Sequence, residues 1–164
     1  MLINRRWAMP NSNTFDIKPI RELIDRHMTG HSLDPFANRN KLATVTNDLD
    51  PQYGTDFNLD ALEFIRTQPD LSADTILFDP PYSPRQVSEC YKAMGMTVNM
   101  QTTQASFWGN LKGEIARVSR GKVLSFGWNS GGIGKRCGFE IVEILLVPHG
   151  GWHNDTICTV EEVV

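Results

Sequence analysis

The sequence predicts an α/β fold: a sheet that is parallel in its first part, trimmed there, and closed by a C-terminal antiparallel β-hairpin. Three observations carry that expectation. Thr75-Ile76-Leu77-Phe78 is a short apolar, β-branched run suited to a buried central strand, and it stops at Pro80-Pro81, which cannot donate to a sheet ladder. Runs of this kind alternate with stretches of helical spacing, the pattern of a parallel sheet covered by helices. Phe139 to Val147 and Thr156-Ile157-Cys158-Thr159-Val160 flank the turn-rich segment Pro148 to Asp155, which reads as an antiparallel hairpin.

Size and composition set the limits. A chain of 164 residues with 40% hydrophobic content is one domain with one real core. Cys90, Cys137 and Cys158 are odd in number and show neither CxxC nor Cys/His ligand spacing, so no disulfide framework or metal site is indicated and a reducing cytoplasm is expected. No apolar run approaches the length that spans a bilayer. The net charge of −3 is low for a nucleic-acid binder, which would have to rely on local patches such as Arg5-Arg6, Arg85 with Lys92, Arg117 to Lys122, or Lys135-Arg136. Solvated surface charge is the competing account of each.

In chain order, the polar turn Asn11-Ser12-Asn13-Thr14 leads into a helix whose face is Ile20, Leu23, Ile24 and Met28, with Asp16 as its expected cap, Pro19 in the first turn and Gly30 as its stop. Lys41-Leu42-Ala43-Thr44-Val45-Thr46 reads as a strand, yet the interval from Phe36 to Leu42 is short for a parallel crossover, which takes on the order of a dozen residues. Either the usual crossover helix is missing or these strand assignments are wrong, and a trimmed sheet with an exposed or irregular region is expected here. Asn47-Asp48-Leu49-Asp50-Pro51 follows at that strand's end, where a carboxylate can accept from two neighbouring ribose hydroxyls; Asp48 is the first candidate and Asp50 the second. Asp60-Ala61-Leu62-Glu63 is a capped helix start that runs to a stop near Pro69.

Asp79-Pro80-Pro81-Tyr82 places a carboxylate, two carbonyls and an aromatic ring at the carboxyl end of the central strand, where open α/β sheets hold ligands. That set suits a planar molecule with an amino group: the ring stacks on Tyr82, and the amino hydrogens point at Asp79 and the Pro80 carbonyl. Ser83-Pro84-Arg85-Gln86 then reads as N-cap, first helical proline and capping box, with Val87, Cys90, Tyr91 and Met94 on one face and Gly95 as stop. Arg85 and the helix N-terminus would favour a nearby phosphate. Met96 to Gln104 is a polar loop suited to enclosing a substrate. Ala105, Trp108, Leu111, Ile115 and Val118 mark the next helix, Lys122 to Gly127 the next strand, and Trp128 and Asn129 stand at that strand's end as candidate site walls.

Gly131-Gly132-Ile133-Gly134-Lys135-Arg136 fails the phosphate-loop spacing, since Asn129 and Arg136 occupy positions where Gly and Ser or Thr are needed; it reads as a flexible link. His149 and His153 have no third ligand spaced to join them. Trp152 and His153 are better read as residues beside the substrate.

Asp79-Pro80-Pro81-Tyr82 resembles the catalytic signature of the S-adenosylmethionine-dependent amino-methyltransferases, in the form typical of the DNA adenine-N6 methyltransferases. The resemblance implies a Rossmann-like class I methyltransferase sheet over residues 1–164 without a separate target-recognition domain, a methyl transfer to adenine N6 in single-stranded or flipped DNA, and S-adenosylmethionine as cofactor. Phe15, Asp16 and Ile17 resemble the family's segment beside the methionine end of that cofactor. Asp34, Phe36 and Asn38 resemble its cofactor loop, with Ala37 and Asn38 where glycines are usual; Asn tolerates positive φ next best. Asp60 and Ala61 correspond to the pair against the cofactor's adenine, and Asp79 borders cofactor and base alike. A homodimer or a recognition partner is expected to read the DNA, and a phage-type enzyme would suit so small a form. An RNA base amino-methyltransferase, a cytosine-N4 or protein-glutamine enzyme, and a silent methyltransferase-like binding protein remain as alternatives.

Overall fold

A computed structural model describes residues 1–82, 84–93 and 105–164. Among the described residues, seven strands form one sheet: β1 (Leu2–Arg5), β2 (Ser32–Asp34), β3 (Val45–Thr46), β4 (Ala73–Phe78), β5 (Ser119–Gly127), β6 (Phe139–Val147) and β7 (Thr156–Val163), in the spatial order β1-β6-β7-β5-β4-β2-β3. Only β7 runs antiparallel to its neighbours, β5 and β6. The carboxyl ends of β1, β6, β5, β4, β2 and β3 therefore share one edge of the sheet, together with the β6–β7 turn.

The alternation of side chains along β4 explains the layers. Ile76 and Phe78 point to one face and pack with α2 (Ala61–Thr67) and α4 (Ala105–Val118), through Phe64, Ile65, Leu111, Ile115 and Val118. Leu77 points to the other face and joins α1 (Lys18–His27), through Ile20, Leu23 and Ile24. β4 is thus buried on both sides, which is why it reads as a continuous apolar run. The strand ends where Pro80 and Pro81 withdraw two donors from the ladder.

The trimmed half departs in detail from expectation. The strand predicted over Lys41–Thr46 shrinks to Val45–Thr46, and residues 35–44 make turns in place of a helix. Side-chain hydrogen bonds replace the missing layer: Ser32 and Thr44 bond each other's backbone amides at 3.1 and 2.9 Å, and the Ala37 amide donates to the Asn47 carbonyl at 2.9 Å. Beyond β3, among the described residues, only an isolated parallel bridge, Asn47 to Phe57, extends the pairing.

Asp16 does not cap α1. The helix starts after Ile17, with Pro19 in its first turn, and Asp16 lies in the preceding 3-10 turn, accepting from Asn13 at 2.9 Å. The edge strand β1 escaped the sequence reading because three of its four residues are exposed and give no alternation. α3 (Pro84–Ala93) starts as anticipated after the two prolines. Ser83 as N-cap, the face of Val87, Cys90, Tyr91 and Met94, the stop at Gly95 and the loop 96–104 lie outside the described residues and side chains. Asp60 caps α2 as read, accepting from the Leu62 amide at 3.0 Å. Among the described residues no helix is long and apolar enough to cross a membrane.

The glycine-rich link is anchored rather than flexible. The amides of Ile133 and Gly134 donate to the two oxygens of the buried Glu161 carboxylate at 2.7 and 2.9 Å. Gly132 has φ +48°, and a Cβ there would stand 2.2 Å from the same carboxylate. The loop therefore binds an internal anion where a phosphate-loop would bind an external one. Glu161→Ala should lower stability by about 2–4 kcal/mol in urea unfolding, because two largely buried amides lose their acceptor at roughly 1–3 kcal/mol each, and Glu161→Gln should cost less.

Candidate active site

A cavity of about 490 Å³ opens at the carboxyl edge of the sheet, within the size range of small-molecule and cofactor sites. Four places supply most of its wall. Asp79, Pro80, Pro81 and Tyr82 leave β4; Pro35, Phe36 and Asn38 follow β2; Asp48 and Leu49 follow β3; Leu59, Asp60 and Ala61 enter α2. The N-terminal segment 11–14 closes one side, and Gln86 and Glu89 of α3 the other.

Asp79 keeps some accessible surface because it lines this cavity, but protein surrounds it closely enough that loss of hydration dominates its chemistry. Desolvation lifts its carboxyl to about 6, against a weaker downward pull from hydrogen bonds with Tyr82 and Thr14. The Tyr82 hydroxyl donates to Asp79 Oδ1 and lies 3.5 Å from Thr14 Oγ1. Burial and the adjacent Asp79 charge push the phenol upward, so Tyr82 stays a donor. Its backbone amide donates to Gln86 Oε1 at 2.5 Å, which fastens the Pro-Pro turn to α3 one residue earlier than the capping-box reading placed that bond.

At the opposite wall, Asp48 accepts the amides of Asn38 and Asp50 at 2.8 and 2.9 Å, one on each oxygen. Each carboxylate oxygen has a second lone pair, so the group can still accept from a ligand. Burial pushes its carboxyl upward. Asn38 takes φ +53°, the left-handed turn expected of the residue standing where a glycine is usual. Asp34 is fully buried, with Oδ1 accepting from the Phe36 amide at 3.1 Å and Oδ2 without a partner among the described residues. Desolvation, and then the charges of Asp79 and Asp48, raise its carboxyl well above the usual range. It shapes the turn and does not line the cavity.

The remaining anticipated residues divide. Phe36, Asn38, Asp48, Asp60, Ala61 and Asp79 to Tyr82 meet in the cavity. Phe15 and Ile17 lie in the core instead, with the Phe15 ring 4.9 Å from that of Phe126, and Asp16 faces solvent. Asp50 caps a 3-10 turn through the Gln52 amide at 2.9 Å and stands outside the cavity. Arg85 is exposed and pairs with Glu89 at 2.8 Å. Trp128 sets its ring edge-on to Tyr82, centroids 5.6 Å apart, beside the cavity rather than in its wall. Asn129 turns back to accept the Gly131 amide at 2.8 Å, and Trp152 and His153 project from the exposed β6–β7 turn. The other basic patches are largely paired: Arg6 with Glu22, Arg117 with Asp70 and Glu114, Arg120 with Asp74, Lys122 with Glu162, and Lys135 with Glu140.

Sequence reasoning missed Thr14, Asn13 and Asn40 as wall residues. Asn13 Oδ1 accepts from Asn40 Nδ2 at 2.9 Å and ties the N-terminal segment across the cavity to the loop after β2. Two turn-forming stretches rich in Asn were the available signal. Among the described residues no group of three His, Cys, Asp or Glu is placed to hold a metal ion.

No protein-family model matches the chain, and neither does any curated protein. Among solved structures it is similar to TrmN from Thermus thermophilus, with TM-score 0.55 and 18% identity over 90% of this chain and 48% of that one. The chain thus spans about half the length of TrmN. It is also similar to yhhF from Escherichia coli, a protein proposed to be a methyltransferase, with TM-score 0.50 and 11% identity over 94% of this chain and 90% of that one. At such identities the likeness speaks to the fold, a mixed sheet of the Rossmann-like methyltransferase type.

The raised carboxyl of Asp79 has a consequence for stability. A group that binds its proton more tightly when folded stabilises the fold below its unfolded pKa and loses that contribution as pH rises through about 6. Asp79→Asn should therefore melt at a higher temperature than the parent at pH 8, with the difference shrinking toward pH 4 in a series of thermal scans.

Proposed function

We propose that this protein transfers the methyl group of S-adenosylmethionine to the exocyclic N6 amine of adenine in DNA. The observation that supports this most is the placement of Asp79: a desolvated carboxylate at the tip of the central strand, inside a cavity and next to an aromatic ring and a proline carbonyl. The methyltransferase-type fold agrees with it.

The residues present suit the cofactor. The cavity is large enough for a nucleoside with an amino-acid tail, Asp48 offers lone pairs to a ribose diol, and Asp60 and Ala61 stand beside it on the α2 start for a purine. When bound, S-adenosylmethionine supplies an electrophilic methyl on a sulfonium.

The chain's own part is to bind, orient and discharge. An adenine amine is a poor nucleophile, because its lone pair is delocalised into the ring. Asp79 and the Pro80 carbonyl would accept its two hydrogens and favour a tetrahedral nitrogen, and these bonds strengthen as positive charge grows there. The amine's surplus proton then passes to the Asp79 carboxylate or to water. The Tyr82 hydroxyl occupies one lone pair of Asp79 and leaves the others for the amine, and the Tyr82 side chain already lines the cavity in which the base would stack. A base reaches such a cavity only from a single strand or flipped from a duplex.

DNA incubated with the protein and S-adenosylmethionine should yield N6-methyladenine by nucleoside mass spectrometry. Asp79→Ala should reduce transfer by at least about 10²–10³-fold, the cost of losing one such transition-state partner, with the fold retained by circular dichroism. Since only the ionised carboxylate accepts both ways, the parent's rate should fall about tenfold per pH unit below the Asp79 value of about 6. Full turnover in Asp79→Ala, or methyl found on RNA alone, would contradict the assignment.

A further inference from the structure

Four acidic residues line the cavity, Asp48, Asp60, Asp79 and Glu89, and among the described residues no Lys, Arg or His does. The remaining residues, 83 and 94–104, contain none of those three types, so they bring no basic side chain to it either. A fifth acid stands behind the wall: Asp34 is fully buried, and the charges of Asp79 and Asp48 bear on it. The basic residues nearest in sequence stay outside the cavity. Arg85 is spent on Glu89 at 2.8 Å, Lys41 gives its ammonium to the Tyr53 and Gly54 carbonyls at 3.2 and 2.5 Å, and Arg39 and Lys92 are exposed.

Other shielded acids of the chain have a base beside them. Glu143 meets Arg26 at 2.6 Å and His27 at 2.8 Å, and Asp74 meets Arg120 at 2.7 Å. Asp79 has none. The groups that face it are the Tyr82 hydroxyl, Thr14 from the N-terminal segment, Asp34 at the end of β2 and Cys158 on β7, and none of them is a cation. Asp48 is held by two amides and meets no ion-pair partner among the described residues. Charges of one sign in a cleft with partly desolvated walls add their fields, and act there at an effective dielectric of about 20 rather than 80. The cavity therefore carries a deficit of positive charge that a cationic ligand would fill.

We infer that the cavity selects its ligand by positive charge, holding S-adenosylmethionine through the sulfonium and letting go of the neutral S-adenosylhomocysteine. The inference rests on the proposed function in taking S-adenosylmethionine as the ligand. In the transfer the amine lone pair forms the new N–C bond and the S–C pair stays on sulfur, so the ligand loses its sulfonium charge while the amine gains one and then sheds a proton. The two ligands share adenosine and the amino-acid end and differ by one methyl and one charge, which isolates the cavity's field. Asp79 carries most of the selection, because it is the most desolvated acid of the wall and has no cation beside it. Accumulated product then inhibits weakly.

Calorimetry on the full chain tests this with three ligands: S-adenosylmethionine, S-adenosylhomocysteine, and sinefungin, which carries an ammonium in place of the sulfonium. Near neutral pH and at low salt, the two cationic ligands should bind at least tenfold tighter than S-adenosylhomocysteine. That advantage should shrink severalfold toward pH 5, below the Asp79 value of about 6, as the carboxylate takes up its proton. Asp79→Asn should cut the affinity ratio of S-adenosylmethionine to S-adenosylhomocysteine about tenfold, a ratio that a purely structural role would leave alone; the pH series on the parent stands independently of that variant. Equal or tighter binding of S-adenosylhomocysteine, or a ratio unmoved by both pH and Asp79→Asn, would overturn the inference. Binding of none of the three overturns it together with the proposed cofactor. Selection as described with no N6-methyladenine formed on DNA leaves the inference standing and the proposed reaction fallen; N6-methyladenine formed with equal binding of the two adenosyl ligands gives the reverse.

Discussion

The structure depends on how β4 ends. A strand buried on both faces carries the chain to the carboxyl edge of the sheet, and two consecutive prolines stop it there. Asp79 is the first residue released, too close to the core to be well hydrated and too close to the cavity to be sealed. Desolvation of that carboxylate is a cost the fold bears at neutral pH, and it is the kind of cost found where a charge is kept for a ligand. The Tyr82 hydroxyl moderates it by donating to the acid, and Gln86 holds the tyrosine backbone through its amide.

The opposite wall is held without the layer a larger domain would use. With no helix between β2 and β3, Asn47 acts as the staple. It is fully buried and bonds the Pro35 carbonyl at 3.1 Å, the Leu59 carbonyl at 3.0 Å and the Leu59 amide at 3.0 Å. One side chain thus joins the loop after β2 to the approach of α2, both of which wall the cavity. Asp48, its neighbour, binds the two turns beside it through Asn38 and Asp50. A shortened sheet keeps a defined site here because polar side chains satisfy the backbone that helices would otherwise order.

Much of this was legible in the residues. The apolar run before two prolines, the Asp60 cap, the α4 spacing and the hairpin bounds all reflect local chemistry, and each lies where the pattern put it. What escaped depends on tertiary contacts. An exposed four-residue edge strand shows no periodicity. Ile17 rather than Asp16 precedes α1 because the Phe15 and Ile17 side chains are drawn into the core against Phe126, which turns Asp16 outward. Spacing rules excluded a phosphate loop at Gly131 to Arg136, but the buried Glu161 that organises it lies 27 and 28 residues along the chain from the amides it binds. Arg85 looked like a phosphate ligand until Glu89, one helical turn on, proved to hold it.

The physical core of this account is an acid held out of water at the tip of β4 and steadied by a tyrosine hydroxyl. Carbon-13 NMR titration of Asp79 reads that state at the atom concerned. The account predicts a midpoint near 6 in the parent protein and a higher one in Tyr82→Phe, because removing the donor withdraws a bond that favours the ionised form. A midpoint near the ordinary aspartate value of about 3.9, unmoved by Tyr82→Phe, would contradict it.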